Sequence, residues 1–414
     1  MKKIFLIAAL AALPATLPAQ EFSTATMRPI TLGETYTLAL AKSEQLAQQG
    51  EYIKQLDAAE RLMNASFRPS FDFNVSHSKQ QNASDSTGGR LSGAYSLFSG
   101  MRDYIAVKAS SARTGAAKLE LDRARQQLYL SAAQAYLDLL AVQREVSIRK
   151  EQLTVTAKRI AELETRADIG RSRKSEVVAA KTQLAQDKAS FLDAASSERG
   201  AQQALMFLTG LDTDLAPAEL TTRMEAPLEF YLKLALTRPD LAASRKTLEA
   251  YGYLADIEDH NLWPAVSLSA DYYVLRKPLP DPANRWDAGA ALNIPLYTGR
   301  YAQGRRDSAY SIKRSAALSL QLSERQALSE VRAAYDEFKY AVLTAASLEE
   351  ALTLASANAG YQEEDYKLGL VTNLDVLSAI NAVQQTRLAL SNSRALEILT
   401  LLKLETAAGL EARQ

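Results

Sequence analysis

Two hydrophobic periods alternate along the chain. Phe71, Phe73 and Val75 alternate with Asp72, Asn74 and Ser76, and Leu91, Gly93, Tyr95 and Leu97 alternate with Ser92, Ala94 and Ser96. Later, Val266, Leu268, Ala270, Tyr272 and Val274 form one face against Ser267, Ser269 and Asp271. Trp286, Ala288, Ala290, Leu292, Ile294 and Leu296 repeat the pattern. A period of two predicts β-strands with one apolar face. Each run of about nine or ten residues has the length of a tilted membrane-spanning strand. Lys79–Arg90 and Arg276–Arg285 are polar and rich in glycine or proline, so they read as turns. The prediction is two hairpins, at about 69–98 and 264–297. A hairpin on an ordinary soluble sheet shows the same alternation, so the pattern alone leaves both settings open.

The rest of the chain reads as long helices. Arg102 to Ile169 contains no proline and one glycine, Gly115, and Arg300 to Leu368 contains no proline. At ~1.5 Å per residue each run extends on the order of 100 Å. A second helical stretch lies between Gly170 and Gly210, and another, Leu32 to Arg68, precedes the first hairpin. One long helix thus matches the summed length of two shorter ones, which predicts a long helix antiparallel to two shorter helices stacked end to end. Leu128, Ala132, Ala135, Leu139, Val142 and Val146 recur at alternating spacings of four and three. So do Ala327, Val331, Ala334, Phe338, Ala341, Ala345, Leu348, Leu352, Ala355 and Ala359. That spacing is a coiled-coil seam, and its alanines allow close approach.

The chain also repeats itself. Ala135-Tyr136 returns as Ala334-Tyr335, and Leu97-Phe98-Ser99-Gly100 as Leu296-Tyr297-Thr298-Gly299, both at an offset of 199. Gly170 with Glu176-Val177 matches Gly369 with Asp375-Val376, and Gly210-Leu211 matches Gly409-Leu410, at the same offset. Pro69 matches Pro264 at an offset of 195, so copy two is four residues longer between its proline and its glycine. The expected organisation is an N-terminal segment, residues 1–19, then repeat 1 over 20–222 and repeat 2 over 223–414.

Composition narrows the chemistry. Hydrophobic residues are 47% and charged residues 23%, the balance of a folded chain. With 48 basic and 48 acidic side chains there is no basic excess for nucleic acid. No cysteine is present, which removes disulfides, thiolate metal sites, thiol nucleophiles and a lipidated cysteine. Lys2 and Lys3, an apolar run from Ile4 to Leu13, and Pro14, Pro18 and Ala19 read as a secretory signal cleaved near Ala19. Losing those two lysines leaves 46 basic against 48 acidic residues, a mature charge near −2. His77 and His260 have no helix-spaced histidine or carboxylate companion, and both read as structural. Phosphate-loop, dinucleotide, nucleophile-elbow and paired-metal motifs are missing, so neither an enzyme nor a cofactor is expected. Mixed-sign runs such as Arg144 to Glu151 read as solvated helix faces.

Two glycine turns remain. Copy one reads Arg166-Ala167-Asp168-Ile169-Gly170-Arg171-Ser172-Arg173-Lys174-Ser175-Glu176, and copy two Tyr366-Lys367-Leu368-Gly369-Leu370-Val371-Thr372-Asn373-Leu374-Asp375. Glycine suits the left-handed residue that ends a helix, and Ser175 or Asn373 is placed to cap the next one. Both turns fall at the pole opposite the strands. Copy two is expected to expose Leu370 and Val371 there. A helical hairpin needs a turn in any case, but apolar residues at an exposed tip point to a partner.

These features together resemble the TolC-like outer-membrane efflux proteins over nearly the whole mature chain. The resemblance rests on the duplication, the Pro69 and Pro264 strand entries, the two Leu-aromatic-Ser/Thr-Gly motifs, Arg238-Pro239-Asp240-Leu241 and the two glycine tips. It implies a mainly α protein with a small β part, whose homotrimer forms a twelve-stranded β-barrel on an α-helical barrel. The implied setting is the cell outer membrane and its lipid, extending into the periplasm. There the tips Gly170, Arg171, Ser172, Gly369, Leu370, Val371 and Thr372 dock onto a periplasmic adaptor (membrane-fusion protein) of an inner-membrane transporter. The resemblance implies that Asp375 rings the periplasmic constriction, favouring cations and gating with pH, and that Tyr366 and Glu176 hold the gate closed. Ser378 stands where such members carry a second aspartate, and Val371 where they carry an arginine. Asp375 also reads as an ordinary N-terminal-turn acid favoured by the helix dipole. The competing reading of the whole is a soluble periplasmic coiled-coil scaffold or adaptor.

Overall fold

A computed structural model describes residues 27–79, 81, 85–220, 226–277 and 284–410. The segment read as a secretory signal lies outside the described residues. In chain order the elements are β1 (Arg28–Ile30), α1 (Leu32–Lys42), α2 (Glu44–Ala65), β2 (Ser70–Ser78), β3 (Ser86–Phe98), α3 (Arg102–Asp168) and α4 (Lys174–Thr209). There follow β4 (Leu215–Pro217), α5 (Leu228–Ala235), α6 (Pro239–Asp259), β5 (Ala265–Lys277), β6 (Trp286–Asn293), α7 (Tyr301–Leu368) and α8 (Asn373–Ala407).

The two uninterrupted stretches become single helices of 67 and 68 residues. Helix α3 packs against α2 and α4, and α7 against α6 and α8, so each long helix does run beside two stacked shorter ones. The stretch Leu32 to Arg68 is not one helix. Ser43 leaves helical geometry at φ −70°, ψ 102°, and its hydroxyl accepts from the Leu46 N–H at 3.3 Å. The side chain thus caps α2 and ends α1 at the same point. In copy two the corresponding break is Arg238-Pro239, with the proline in the first turn of α6.

The seam predicted on α7 is buried over its first six positions, Ala327, Val331, Ala334, Phe338, Ala341 and Ala345, but only half-buried at Leu348, Leu352, Ala355 and Ala359. On α3 the buried surface is wider, taking in Ala133, Tyr136, Leu137 and Leu140 beside the predicted Ala132 and Leu139. The reason is position: α3 touches α6 and α8 as well as its own copy's helices.

Near mid-height a small parallel pair, β1 with β4, closes over α3. The Tyr136 hydroxyl, fully buried, donates to the carbonyls of Ile30 at 3.1 Å and Ala218 at 2.8 Å. Its equivalent Tyr335 packs beside Tyr231 against Val331, Phe338 and Leu404. The Arg238-Pro239-Asp240 motif secures the end of α8. Arg238 pairs with Asp240 and Glu330, each at 2.7 Å, and donates to the Ala407 carbonyl at 3.1 Å. Gly409 has a φ of 85°, and a β-carbon there would lie 2.8 Å from Arg238 Cγ, so glycine is required twice over.

Candidate functional site

The predicted hairpins meet in one antiparallel sheet of order β2-β3-β5-β6, with strands of 9, 13, 13 and 8 residues. Register decides the faces. Phe71, Gly93, Ala270 and Ala288 form one cross-strand row, and Phe73, Leu91, Tyr272 and Trp286 the next. The opposite face carries the row Asp72, Ser92, Asp271 and Asp287, with Arg90 3.6 Å from Asp271. Phe71, Phe73, Val75, Leu268, Tyr272, Trp286 and Leu292 are exposed, so the apolar face has nothing covering it. Strand β3 begins at Ser86 rather than after Arg90, because Gly88 and Gly89 pair in the ladder. Strand β6 stops at Asn293 rather than reaching Leu296, where Pro295 has no N–H to continue the ladder.

At the far pole both glycine turns take the same form. Gly170 has φ 73° and Gly369 φ 79°. Arg171 N–H donates to the Arg166 carbonyl at 2.8 Å, and Leu370 N–H to the Asp365 carbonyl at 2.9 Å. Gly170 and Gly369 N–H groups donate to Ala167 and Tyr366 at 3.0 and 3.1 Å, completing a Schellman stop in each copy. A core of Ile160, Leu163, Ala180, Tyr366, Val376 and Leu377 brings the two hairpins together. Leu370 is 71% exposed, and Leu368 and Leu374 are exposed beside it. Val371 is not an exposed tip residue; it packs against this core.

The next helices are capped differently from expectation. Thr372, not Asn373, caps α8, and it forms a reciprocal box with Asp375. Asp375 Oδ2 accepts from the Thr372 N–H at 2.8 Å and hydroxyl at 2.6 Å. The Thr372 hydroxyl and N–H hold the exposed Asp375 carboxyl below the usual carboxylate range. Helix α4 has Arg173 at its cap position, with no side-chain cap bond, and Ser175 makes none. Glu176 accepts from the Ser172 hydroxyl at 2.6 Å, within its own turn.

Tyr366 is buried, and its ring lies under two arginines of α3, Arg159 at 4.3 Å and Arg166 at 4.9 Å. Arg159 Nε donates to Oδ1 of Asn373 at 2.9 Å, and Nη1 to Glu162 at 3.1 Å. Arg159 is 6% exposed and Asn373 1%. One guanidinium therefore ties α3 to both α7 and α8. Arg159 was not singled out in the sequence, and Asn373 was read there only as a possible helix cap. The available signal was an arginine between Thr156 and Leu163 on the buried stripe of α3.

Among the described residues no helix is long and apolar enough to cross a membrane. A sheet apolar on one bare face, carried on two helices of 67 and 68 residues that extend about 100 Å, suits a protein that enters a bilayer by strands. The chain belongs to the outer membrane efflux protein family, whose model matches residues 35–211 and 231–410. It is 22% identical over 373 residues to the outer membrane efflux protein BepC of Brucella suis biovar 1, covering 87% of this chain and 82% of that one. It is 24% identical over 312 residues to the outer membrane protein TolC of Vibrio cholerae, covering 70% and 69%. Among solved structures, CusC superimposes with a TM-score of 0.85 at 18% identity, covering 92% of each chain. VceC of Vibrio cholerae does so with 0.81 at 24% identity, covering 91% of this chain and 96% of that one. The protein is thus a TolC-like channel of the outer membrane that extends into the periplasm, and the soluble-scaffold alternative is set aside.

Proposed function

We propose that three copies pool their strands into one twelve-stranded barrel and their helices into a hollow periplasmic conduit. The observation that carries this is the sheet itself. Four strands cannot close a barrel, the outer strands β2 and β6 are exposed along their whole length, and one face is apolar. Unpaired edges in hydrocarbon leave backbone groups without partners, so the chain needs neighbours that supply strands. The conduit passes substrates passively, and an inner-membrane transporter supplies the energy through a periplasmic adaptor.

The docking surface is the tip: Gly170, Arg171 and Ser172 from copy one, and Gly369, Leu370, Val371 and Thr372 from copy two. Leu370 is its apolar contact, and Val371 supports the turn from within. Asp375, Tyr366 and Glu176 form the gate. Three copies of Asp375 facing one axis favour cations and disfavour anions, and opening is a rotation of the Gly369 hairpin away from that axis. Tyr366 holds its hairpin to α3 through Arg159, which supplies an arginine where Val371 does not. Heat-resistant trimers in the outer-membrane fraction are the expected assembly. Leu370→Asp should abolish transporter-dependent efflux while leaving those trimers intact; full efflux would refute tip docking.

A further inference from the structure

The two tips of one protomer differ in charge. Over the equivalent windows 164–176 and 363–375, copy one carries Arg166, Arg171, Arg173 and Lys174 against Glu164, Asp168 and Glu176, a net of +1. Copy two carries Lys367 against Glu363, Glu364, Asp365 and Asp375, a net of −3. The acids of copy one are partly engaged: Glu164 pairs with Lys181 at 2.8 Å, and Glu176 accepts from Ser172. Arg166 lies over Tyr366. Arg171, Arg173 and Lys174 are exposed, and among the described residues no ion pair or side-chain hydrogen bond holds them.

Their placement runs against local helix chemistry. Arg173 occupies the cap position of α4 without a capping side chain, where the equivalent Thr372 closes a box with Asp375. Lys174 is the first residue of α4, where the helix dipole disfavours a cation. Arg171 holds the position equivalent to Leu370, at the pole itself. A β-carbon at Gly170 would meet nothing within 4 Å, so the turn is open on its outer side. Three solvent-facing cations without a protein partner, at a helix start whose dipole disfavours them, fit an external negative partner. Rule-breaking local choices without a compensating contact mark functional positions.

We infer that Arg171, Arg173 and Lys174 are the charge-reading half of the docking surface, fitted to a protein partner that presents a cluster of carboxylates. Copy two supplies the apolar half through Leu368, Leu370 and Leu374. The inference rests on tip docking and adds the partner's chemistry, with opposite charge setting association and register.

The test is the triple reversal Arg171→Glu, Arg173→Glu, Lys174→Glu in the full-length protein, in cells. Efflux is measured with compounds to which loss of the gene sensitises the cell. Placing like charges across the contact should lower efflux about tenfold or more, with trimer level as in the unaltered protein. Selected suppressors should change Asp or Glu to Lys or Arg in the tip of a periplasmic partner. Suppressors confined to Glu363, Glu364 and Asp365 would assign the cations to a neighbouring copy instead, and suppressors anywhere else also overturn the inference. Full efflux by the reversal with an inactive Leu370→Asp removes this inference and keeps tip docking. Full efflux by both removes tip docking itself.

Discussion

Replacing Arg159 by alanine should release the copy-two turn from the rest of its protomer. The guanidinium makes one charge-assisted hydrogen bond to buried Asn373, at 2.9 Å, and stacks 4.3 Å from the Tyr366 ring centroid. A hydrogen bond to a charged group contributes about 1.5–3 kcal/mol, and a cation over an aromatic ring about 0.5–2 kcal/mol. Against this stands Nη2, which is buried without a partner, so its desolvation offsets part of the gain. The bond to Glu162 counts for little because that carboxylate is 59% exposed. The net loss is about 2–3 kcal/mol, and at 1.4 kcal/mol per tenfold the α7–α8 turn should open about 30- to 150-fold more often. Hydrogen–deuterium exchange of the trimer reads this directly in peptides covering residues 366–380. Lys158→Ala, exposed on the same helix, is the control. Equal exchange in the two variants would mean that the apolar tip core alone holds the hairpins, and that Arg159 ties nothing.

Three further outcomes can be measured, two at Asp375 and one at mid-height. Asp375→Asn and Asp375→Ala should both weaken divalent-cation block in planar bilayers, since both remove the carboxylate charge; unchanged block in either would remove Asp375 from the constriction. The folded-state pKa of this carboxyl lies below its ordinary value, so its contribution to the cap is full above about pH 4. That contribution is lost as pH falls through the lower folded value. Exchange at the α8 N-terminus should therefore be flat from pH 7 to about 5 after correction for intrinsic rate, and rise only in stronger acid; a rise near neutrality would contradict the box. At mid-height, Tyr136→Phe removes the hydroxyl from the Ile30 and Ala218 carbonyls. It should destabilise the mid-height core by about 1–3 kcal/mol, read as a lower denaturant midpoint with unchanged trimer yield; an unchanged midpoint would show that water replaces the hydroxyl.

Much of the architecture was visible in the residues because the relevant forces act locally. The α7 seam from Ala327 to Ala345 was read from spacing and is buried as read, since α7 packs mainly on one side. The same reading of α3 found only part of its buried surface, because spacing along one helix does not count its neighbours. Tyr136, Leu137 and Leu140 are buried by segments far away in sequence. The break at Ser43 was missed although its chemistry is local: a serine is a possible cap at many positions, and only the packing of α1 against α3 and α4 selects this one.

The sequence by itself determined the duplication, the strand and helix periods, the two hairpins and the left-handed glycines that end α3 and α7. Each follows from side-chain pattern or backbone freedom within a few residues. Only the tertiary structure decided that the hairpins share one sheet in which Asp72, Asp271 and Asp287 fall in one row. It alone seated Arg159 against an asparagine 214 residues away, and it turned Val371 inward while leaving Leu370 bare. Cross-strand register and helix-to-helix contact are set by which surfaces exclude water together, and no spacing within a single segment records that choice.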